Sequence, residues 1–353
     1  IPGATSSTLI LPMVGDSDVG TYTATIANGA TTVTSNPATL TLSGSVYAIP
    51  YQFTTIGGRP GVTGSAGGSV GKLRDPSFIV QDSQGNLFVT DGVNYTIRKI
   101  TPSGVISTFA GAAGQSGTAD GAGDNARFSG PSALAIDKND QLFVSDYGAI
   151  RKITQTGVVS TIAGVVGCPG NVDGVGASAR VSPAGLAVDS NGVIYFADPI
   201  NSIVRRVSPS GAVSLLAGCA GVRGNFNGTG EVACFRAPYG MAVDAAGTIY
   251  VSDGGNHNIR RITPSGVVST FAGSTDPFGE FDYRDGTGTD ARFHSPSFLW
   301  MSAAGDLYVG DAGNSVVRKI SPAGVVTTAL CTDERSFGAS IALHTRYAGL
   351  SGM

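Results

Sequence analysis

Apolar and polar residues alternate with a period of two through most of this chain, in short runs rich in Val, Ile, Tyr and Phe and bounded by Gly, Pro, Asn and Asp. That pattern predicts β-strands separated by tight turns. The clearest stretch is Ala237 to Gly273, APYGMAVDAAGTIYVSDGGNHNIRRITPSGVVSTFAG. A proline opens an apolar run, a small-residue turn follows, and an alternating run ends in Asp. A D-x-x-N turn then leads to an Ile/Val-Arg-Lys/Arg run, and a Pro-Ser-Gly turn leads to V-x-S/T-T-x-A-G. Each copy predicts four short strands and three turns, and no copy contains an amphipathic helix.

The opening prolines are Pro76, Pro131, Pro183, Pro238 and Pro296, in steps of 55, 52, 55 and 58 residues. Leu350 lies 54 further on, where TRYAGLSGM (Thr345–Met353) aligns with ARFSGPSAL (Ala126–Leu134). At the other end YQFTTIGG (Tyr51–Gly58) aligns with the last strand of a unit, as in VISTFAG (Val105–Gly111). A single four-stranded sheet cannot bury both of its apolar faces, and radial stacking of copies does so. The expected fold is all-β. It is a six-bladed β-propeller of five complete four-stranded blades plus one blade shared between, or truncated at, the two ends.

The string P-x-G-L/M-A-V-D-x-x-G-x-I/L-Y/F-V-x-D-x-x-N-x-I/V-R-K/R resembles the NHL repeat, over residues 51–353. The resemblance implies the propeller fold and says almost nothing about activity, because one fold hosts many functions. Residues 1–44 differ: the D-x-G-x-Y string of Asp18, Gly20 and Tyr22 resembles the tyrosine corner of immunoglobulin-like domains. That resemblance implies a partial Ig-like β-sandwich of strands E, F and G, with Ala24 where such domains carry a cysteine. Leu9, Leu11, Tyr22, Ala24, Ile26, Leu40 and Leu42 alternate as a buried face would. Residues 45–50 form a linker. Three strands with no partner sheet predict that 1–44 docks on strands outside this segment, upstream in a longer chain or in a second copy, giving a homo-oligomer or filament.

Composition narrows the function. Charged residues make up only 13% of the 353 residues and the net charge is −3, which argues against nucleic acid, whose phosphates demand basic clusters. No apolar run approaches the roughly 20 residues of a transmembrane helix, so no membrane insertion is expected. Gly contributes 52 residues, which the repeated turns use. The four cysteines form no C-x-x-C. Cys219 and Cys234 bracket one inter-blade loop and are the disulfide candidate, while Asn94 and Asn227 match the glycosylation sequon.

Antiparallel strands running outward from the axis put the long inter-blade loops and the D-x-x-N turns on one face. The loops share a D/N-G-x-G core, as in ADGAGDNARF (Ala119–Phe128) and RDGTGTDARF (Arg284–Phe293). Without calcium-loop spacing this reads as a turn needing positive φ. Five Asp/Arg pairs, Asp91 with Arg98, Asp146 with Arg151, Asp198 with Arg205, Asp253 with Arg260 and Asp311 with Arg318, read as structural hairpin pairs repeated with the blade. The longest loop, Ser274 to Gly286, carries Phe278, Phe281, Tyr283 and Asp285. With Asn256 and His257 from a D-x-x-N turn, it is the candidate binding set.

No catalytic set emerges. His257, His294 and His344 do not repeat in phase, no G-x-S-x-G elbow or zinc spacing occurs, and neither a cofactor nor a metal is expected. The column expected to face the axial channel reads Val80, Ala135, Ala187, Ala242 and Trp300, with Trp300 as a partial plug. The expectation is a non-enzymatic extracellular or cell-surface module with a protein or glycan partner. The alternative is a propeller hydrolase or lyase whose catalytic residues lie outside this segment.

Overall fold

The computed structural model describes residues 20–28, 31–40, 55–58, 62–69, 71–276 and 281–331. The chain divides into two compact units, Ile1–Phe53 and Thr54–Met353.

In the first unit the described residues form one broken antiparallel hairpin. Gly20–Tyr22 pairs with Ala38–Leu40, and Thr25–Asn28 pairs with Thr31–Thr34. At the break the Ala24 N–H donates to Ser35 Oγ at 2.9 Å and the Ser35 N–H returns to the Ala24 carbonyl at 2.8 Å. The arms span the stretches expected as strands F and G, and no second sheet covers them among the described residues, which form a two-stranded ribbon and do not show the expected Ig-like sandwich. Such a ribbon buries neither face. Ala24, expected inside, is exposed, as are residues 31–39. The expected strand E, with Leu9 and Leu11, lies outside the described residues, as does Leu42.

The second unit is a propeller of five described blades. Blade one comprises Pro76–Gln81, Leu87–Asp91, Thr96–Ile100 and Ile106–Ala110. Blade two comprises Pro131–Ile136, Leu142–Asp146, Ala149–Ile153 and Val158–Gly164. Blade three comprises Leu186–Val188, Ile194–Asp198, Ile203–Val207 and Ala212–Ala217. Blade four comprises Pro238–Val243, Ile249–Asp253, Asn258–Ile262 and Val267–Gly273. Blade five comprises Pro296–Met301, Leu307–Asp311, Val316–Ile320 and Val325–Cys331. All pairings within a blade are antiparallel and consecutive, running from the axis outward.

Blades two to five each carry a fifth strand that the sequence did not announce. The D/N-G-x-G loop preceding the blade runs to its outer edge and pairs there before returning to the axis: Gly121–Ala122, Gly174–Val175, Gly228–Thr229 and Gly286–Thr287 join the fourth strands. In blade one Gly68 exchanges both backbone hydrogen bonds with Ile106 at the same place.

The sixth blade is also corrected. Tyr347–Met353 and residues 51–54 lie outside the described residues. Thr55 to Gly58 form no strand, yet the Ile56 carbonyl packs on Gly104 as Phe109 packs on Gly157 and Ile162 on Gly211. Ile56 and Leu73 cover Ile79, Val89 and Ile106 of blade one.

Packing between blades follows the alternation. Phe128, Phe235 and Phe293, from the loops before blades two, four and five, are fully buried, each a burial of roughly 1.5–3 kcal/mol. An arginine guanidinium lies over each ring, at 5.4 Å (Arg151), 5.1 Å (Arg260) and 5.0 Å (Arg318).

Candidate functional site

Two faces of the propeller differ in what they present. On one, the turns between second and third strands meet the inter-blade loops: the Gly167 N–H donates to the Tyr147 carbonyl and the Gly221 N–H to the Asn201 carbonyl. On the other, short turns meet one another, as where Ser83 Oγ donates to Asp140 at 2.6 Å.

The aspartate that ends each second strand is buried and multiply bonded. In four blades one oxygen accepts the backbone N–H two residues before the opening proline, from Arg74, Ser129, Arg236 or His294. The other oxygen meets the arginine of the third strand: Asp91–Arg98 at 3.1 Å, Asp146–Arg151 at 2.9 Å, Asp253–Arg260 at 2.9 Å and Asp311–Arg318 at 3.1 Å. In blade three the loop before Pro183 is one residue shorter. Asp198 turns to the backbone and amide of Asn201 instead, and Arg205 pairs with Asp173 at 2.7 Å. Burial raises the pKa of all five carboxyls, that of Asp253 to about 6, against the opposing pull of their hydrogen bonds and arginines.

The leading residue of the D/N-G-x-G loops completes these clusters. Asp120, Asp173 and Asp285 sit 2.7 Å from Arg151, Arg205 and Arg318, and Asn227 Oδ1 accepts from Arg260 at 2.8 Å. The second glycine holds φ between +55° and +58° at Gly123, Gly176, Gly230 and Gly288, a conformation that side chains resist. These acceptors are occupied by arginine, and no group of three or more His, Cys, Asp or Glu side chains converges on a common point among the described residues.

The candidate binding residues therefore separate. Asn256 is buried, its amide donating to Asp253 and to the Gly224 carbonyl. Asp285 holds Arg318 and the Thr328 hydroxyl, and the Tyr283 ring lies 5.0 Å from the same guanidinium with its hydroxyl 2.7 Å from Thr328 Oγ1. These three belong to the blade's architecture. Phe278 lies outside the described residues. Of the two sequons, the Asn94 amide N–H groups donate to Asp91 and the Gly64 carbonyl, whereas exposed Asn227 accepts from Arg260 through Oδ1.

Phe281 and His257 do come together, with a third residue the sequence reading passed over. The Phe281 ring stacks on His294 with centroids 4.5 Å apart, and His257 lies 5.2 Å from Phe281 and 5.6 Å from His294. Phe281 remains 58% exposed, so its other face is open. His257 Nδ1 accepts the Ser295 N–H at 2.9 Å. Burial, then His294 and Arg236, lower the His257 pKa. Phe281 and His257 border an open cavity of about 610 Å³ whose further wall is Arg236, Ala237, Tyr239, Ser295, Pro296, Ser297 and the Gly254–Gly255 backbone.

A sequence signal for this cavity existed. The third position of the D-x-x-N turn is Val93 in blade one and Ile200 in blade three, but Gly255 and Gly313 in blades four and five. A Cβ on Gly255 would stand 2.7 Å from the Arg236 side chain, and one on Gly313 would clash with the His294 ring. Those glycines let the two side chains lie flat across the turns.

The axial mouth is built differently from the expected column. Phe78 of blade one meets Tyr239 of blade four and Phe298 of blade five, each at 6.4 Å between centroids, so aromatic rings from three blades converge near the axis. Trp300 is not the plug: it lies 5.4 Å from Tyr308 and packs with Val317 and Ala329 on the face of its own sheet. Ala135, Ala187 and Ala242 are buried between blades.

The expected disulfide is not shown: Cys168, Cys219 and Cys234 are free thiols, and the Cys219 and Cys234 side chains are hydrogen-bonded to each other. Burial first, and then the neighbouring Cys219, raise the Cys234 pKa, which disfavours the thiolate that disulfide formation needs. Iodoacetamide at pH 8 is expected to modify exposed Cys168 first, half-buried Cys219 next and buried Cys234 last. Peptide mass spectrometry over a time course reads the order, and early labelling of Cys234 contradicts its placement.

No family model matches the chain. Teneurin-3 of Mus musculus is 28% identical over 222 residues, covering 54% of this chain and 8% of its own length. Teneurin-4 of Homo sapiens is 28% identical over 228 residues, covering 57% and 8%. The chain thus spans about 8% of the length of these curated relatives. A solved structure from Bacteroides thetaiotaomicron, of a protein of unknown function, superposes with a TM-score of 0.58 at 17% identity, covering 88% of this chain and 70% of that one. The fold is an all-β propeller.

Proposed function

We propose that the propeller is a non-catalytic interaction module of a longer extracellular or cell-surface protein, which recognises its partner through the long-loop face. The observation that carries this reading is the rim between blades four and five. There a half-covered aromatic ring, one histidine and an arginine with no ion pair among the described residues line one cavity, with a second histidine stacked on the ring. Exposed aromatic and arginine side chains grouped on a rigid scaffold are what interface hot spots are made of. The axial mouth, where ring-shaped folds commonly place ligands, is instead filled by Phe78, Tyr239 and Phe298. The small share of each teneurin that the chain matches supports a part working within a larger protein.

The test is a comparison of residues 1–353 with Phe281→Ala on a panel of surface ectodomains and an immobilised glycan array, beside assays for lactone hydrolysis and lyase turnover. The expected result is saturable binding that weakens at least about tenfold in the variant, a change of about 1.4 kcal/mol. Turnover of a substrate by the wild-type chain, with no binding that responds to Phe281, would favour an enzyme.

A further inference from the structure

We infer that the cavity between blades four and five binds the carboxylate of an acidic peptide, through the Arg236 guanidinium and the Nε2–H of His257. The peptide's adjoining aromatic or aliphatic side chain would lie against Phe281 and Pro296. This rests on the interaction-module reading and names the chemistry of the partner.

The charged and imidazole groups facing the cavity, Arg236 and His257, offer donors, beside the hydroxyls of Ser295, Ser297 and Tyr239, which both donate and accept. Arg236 is exposed and forms no ion pair among the described residues, its backbone N–H being spent on Asp253. The Ser295 N–H donates to His257 Nδ1, which assigns the proton of the neutral ring to Nε2. His257 therefore offers an N–H without needing to be protonated. No carboxylate lines the cavity. Asp253 and Asp311 lie beneath the turns with their oxygens taken by Asn256 and Arg260, and by Asn314 and Arg318, and Asp282, next to Phe281 in the chain, accepts the Tyr283 N–H. A neutral sugar would present hydroxyl donors to a wall with few acceptors, whereas a carboxylate presents acceptors only. Ala237, Tyr239, Phe281 and Pro296 form an apolar part of the wall that suits a side chain next to the acid. A volume of about 610 Å³ is in the range of small-ligand sites, roughly 300–1,000 Å³.

The charged and titratable groups facing His257 are Arg236, from the loop before blade four, and His294, from the loop before blade five. Both disfavour its protonation, so a bound carboxylate is expected to raise its pKa.

The probes are acetyl-Glu-Phe-amide, acetyl-Gln-Phe-amide and free phenylacetate, titrated into residues 1–353 with the imidazole nitrogens of His257 and His294 followed by NMR. The Glu peptide is expected to shift His257 Nε2 saturably and to raise the His257 pKa. The Gln peptide and the Arg236→Gln variant are each expected to bind at least about tenfold more weakly. Arg236 is exposed, so the variant should keep the wild-type melting temperature. Equal binding of the Glu and Gln peptides, or an unchanged response in Arg236→Gln, overturns the inference. Phenylacetate binding as tightly as the Glu peptide overturns the peptide source in favour of a small organic acid. Partner binding that still depends on Phe281 while His257 ignores every carboxylate leaves the module reading standing and removes only this inference.

Discussion

Replacing Arg260 by methionine is expected to destabilise the propeller by about 3–5 kcal/mol at pH 7, the cost of stranding a buried charge. Asp253 and Arg260 are both fully buried and 2.9 Å apart. The guanidinium also donates to the Cys234 and Phe226 carbonyls and to Asn227, and it lies over Phe235. Methionine replaces the volume but leaves the Asp253 carboxylate with only Asn256 and the Arg236 N–H. Urea denaturation of the variant, of Asp253→Asn and of the double variant forms a cycle. The double variant is expected to recover part of the loss, because an amide opposite methionine strands no charge. A loss below about 1 kcal/mol in Arg260→Met would mean that the pair contributes no more than a surface ion pair.

The same cluster predicts an unusual pH dependence. Burial raises the Asp253 pKa from 3.8 unfolded to about 6 folded. Between those values the folded state binds more protons than the unfolded state, so stability falls as pH rises. The contribution is fully present below about pH 4 and is lost by the time pH passes about 6. Its size is about 3 kcal/mol, at 1.36 kcal/mol per pH unit. Asp91, Asp146, Asp198 and Asp311 shift in the same direction. Asp253→Asn is expected to flatten the stability profile between pH 4 and 6 relative to wild type. A wild-type stability that climbs steadily over that interval, with no difference in slope for the variant, would contradict the assignment.

How much of this was legible in the residues depends on the range of the interaction. The strands, the turns and the five-fold phase were, because alternation and turn chemistry are local: Ile249–Asp253 and Asn258–Ile262 form where their pattern puts them. The fifth strand of each blade was not, because Gly228–Thr229 carries almost no apolar signal and pairs with Val267 and Val268 nearly 40 positions away. Trp300 was placed in the channel because alternation along a strand gives a side but not which side faces the axis. The register shift after Pro296 decides that, and it leaves Phe298 at the axis. The Asp/Arg pairs were visible as repeats, whereas the blade-three exception turned on a single missing residue before Pro183. At the candidate site, His257 and Phe281 stood out as unusual residues in unusual loops. His294 and Arg236 did not, because their position two before the opening proline gains meaning only with Gly313 and Gly255 opposite, a spacing set by the fold.

The central claim is that recognition takes place on the long-loop face. Single cysteines at Ile200, Phe281, Ser103 and Ser265, in a background with Cys168, Cys219 and Cys331 replaced by serine, place one maleimide-linked polyethylene glycol on either face. Ile200 and Phe281 belong to the long-loop side, and Ser103 and Ser265 lie in the opposite third-to-fourth-strand turns. Binding to the partner recovered from the ectodomain or glycan panel is then measured for each conjugate. The account predicts that attachment at Phe281 abolishes binding, attachment at Ile200 weakens it, and attachment at Ser103 or Ser265 leaves it unchanged. Binding that survives attachment at Phe281 but is lost at Ser103 or Ser265 would contradict the account.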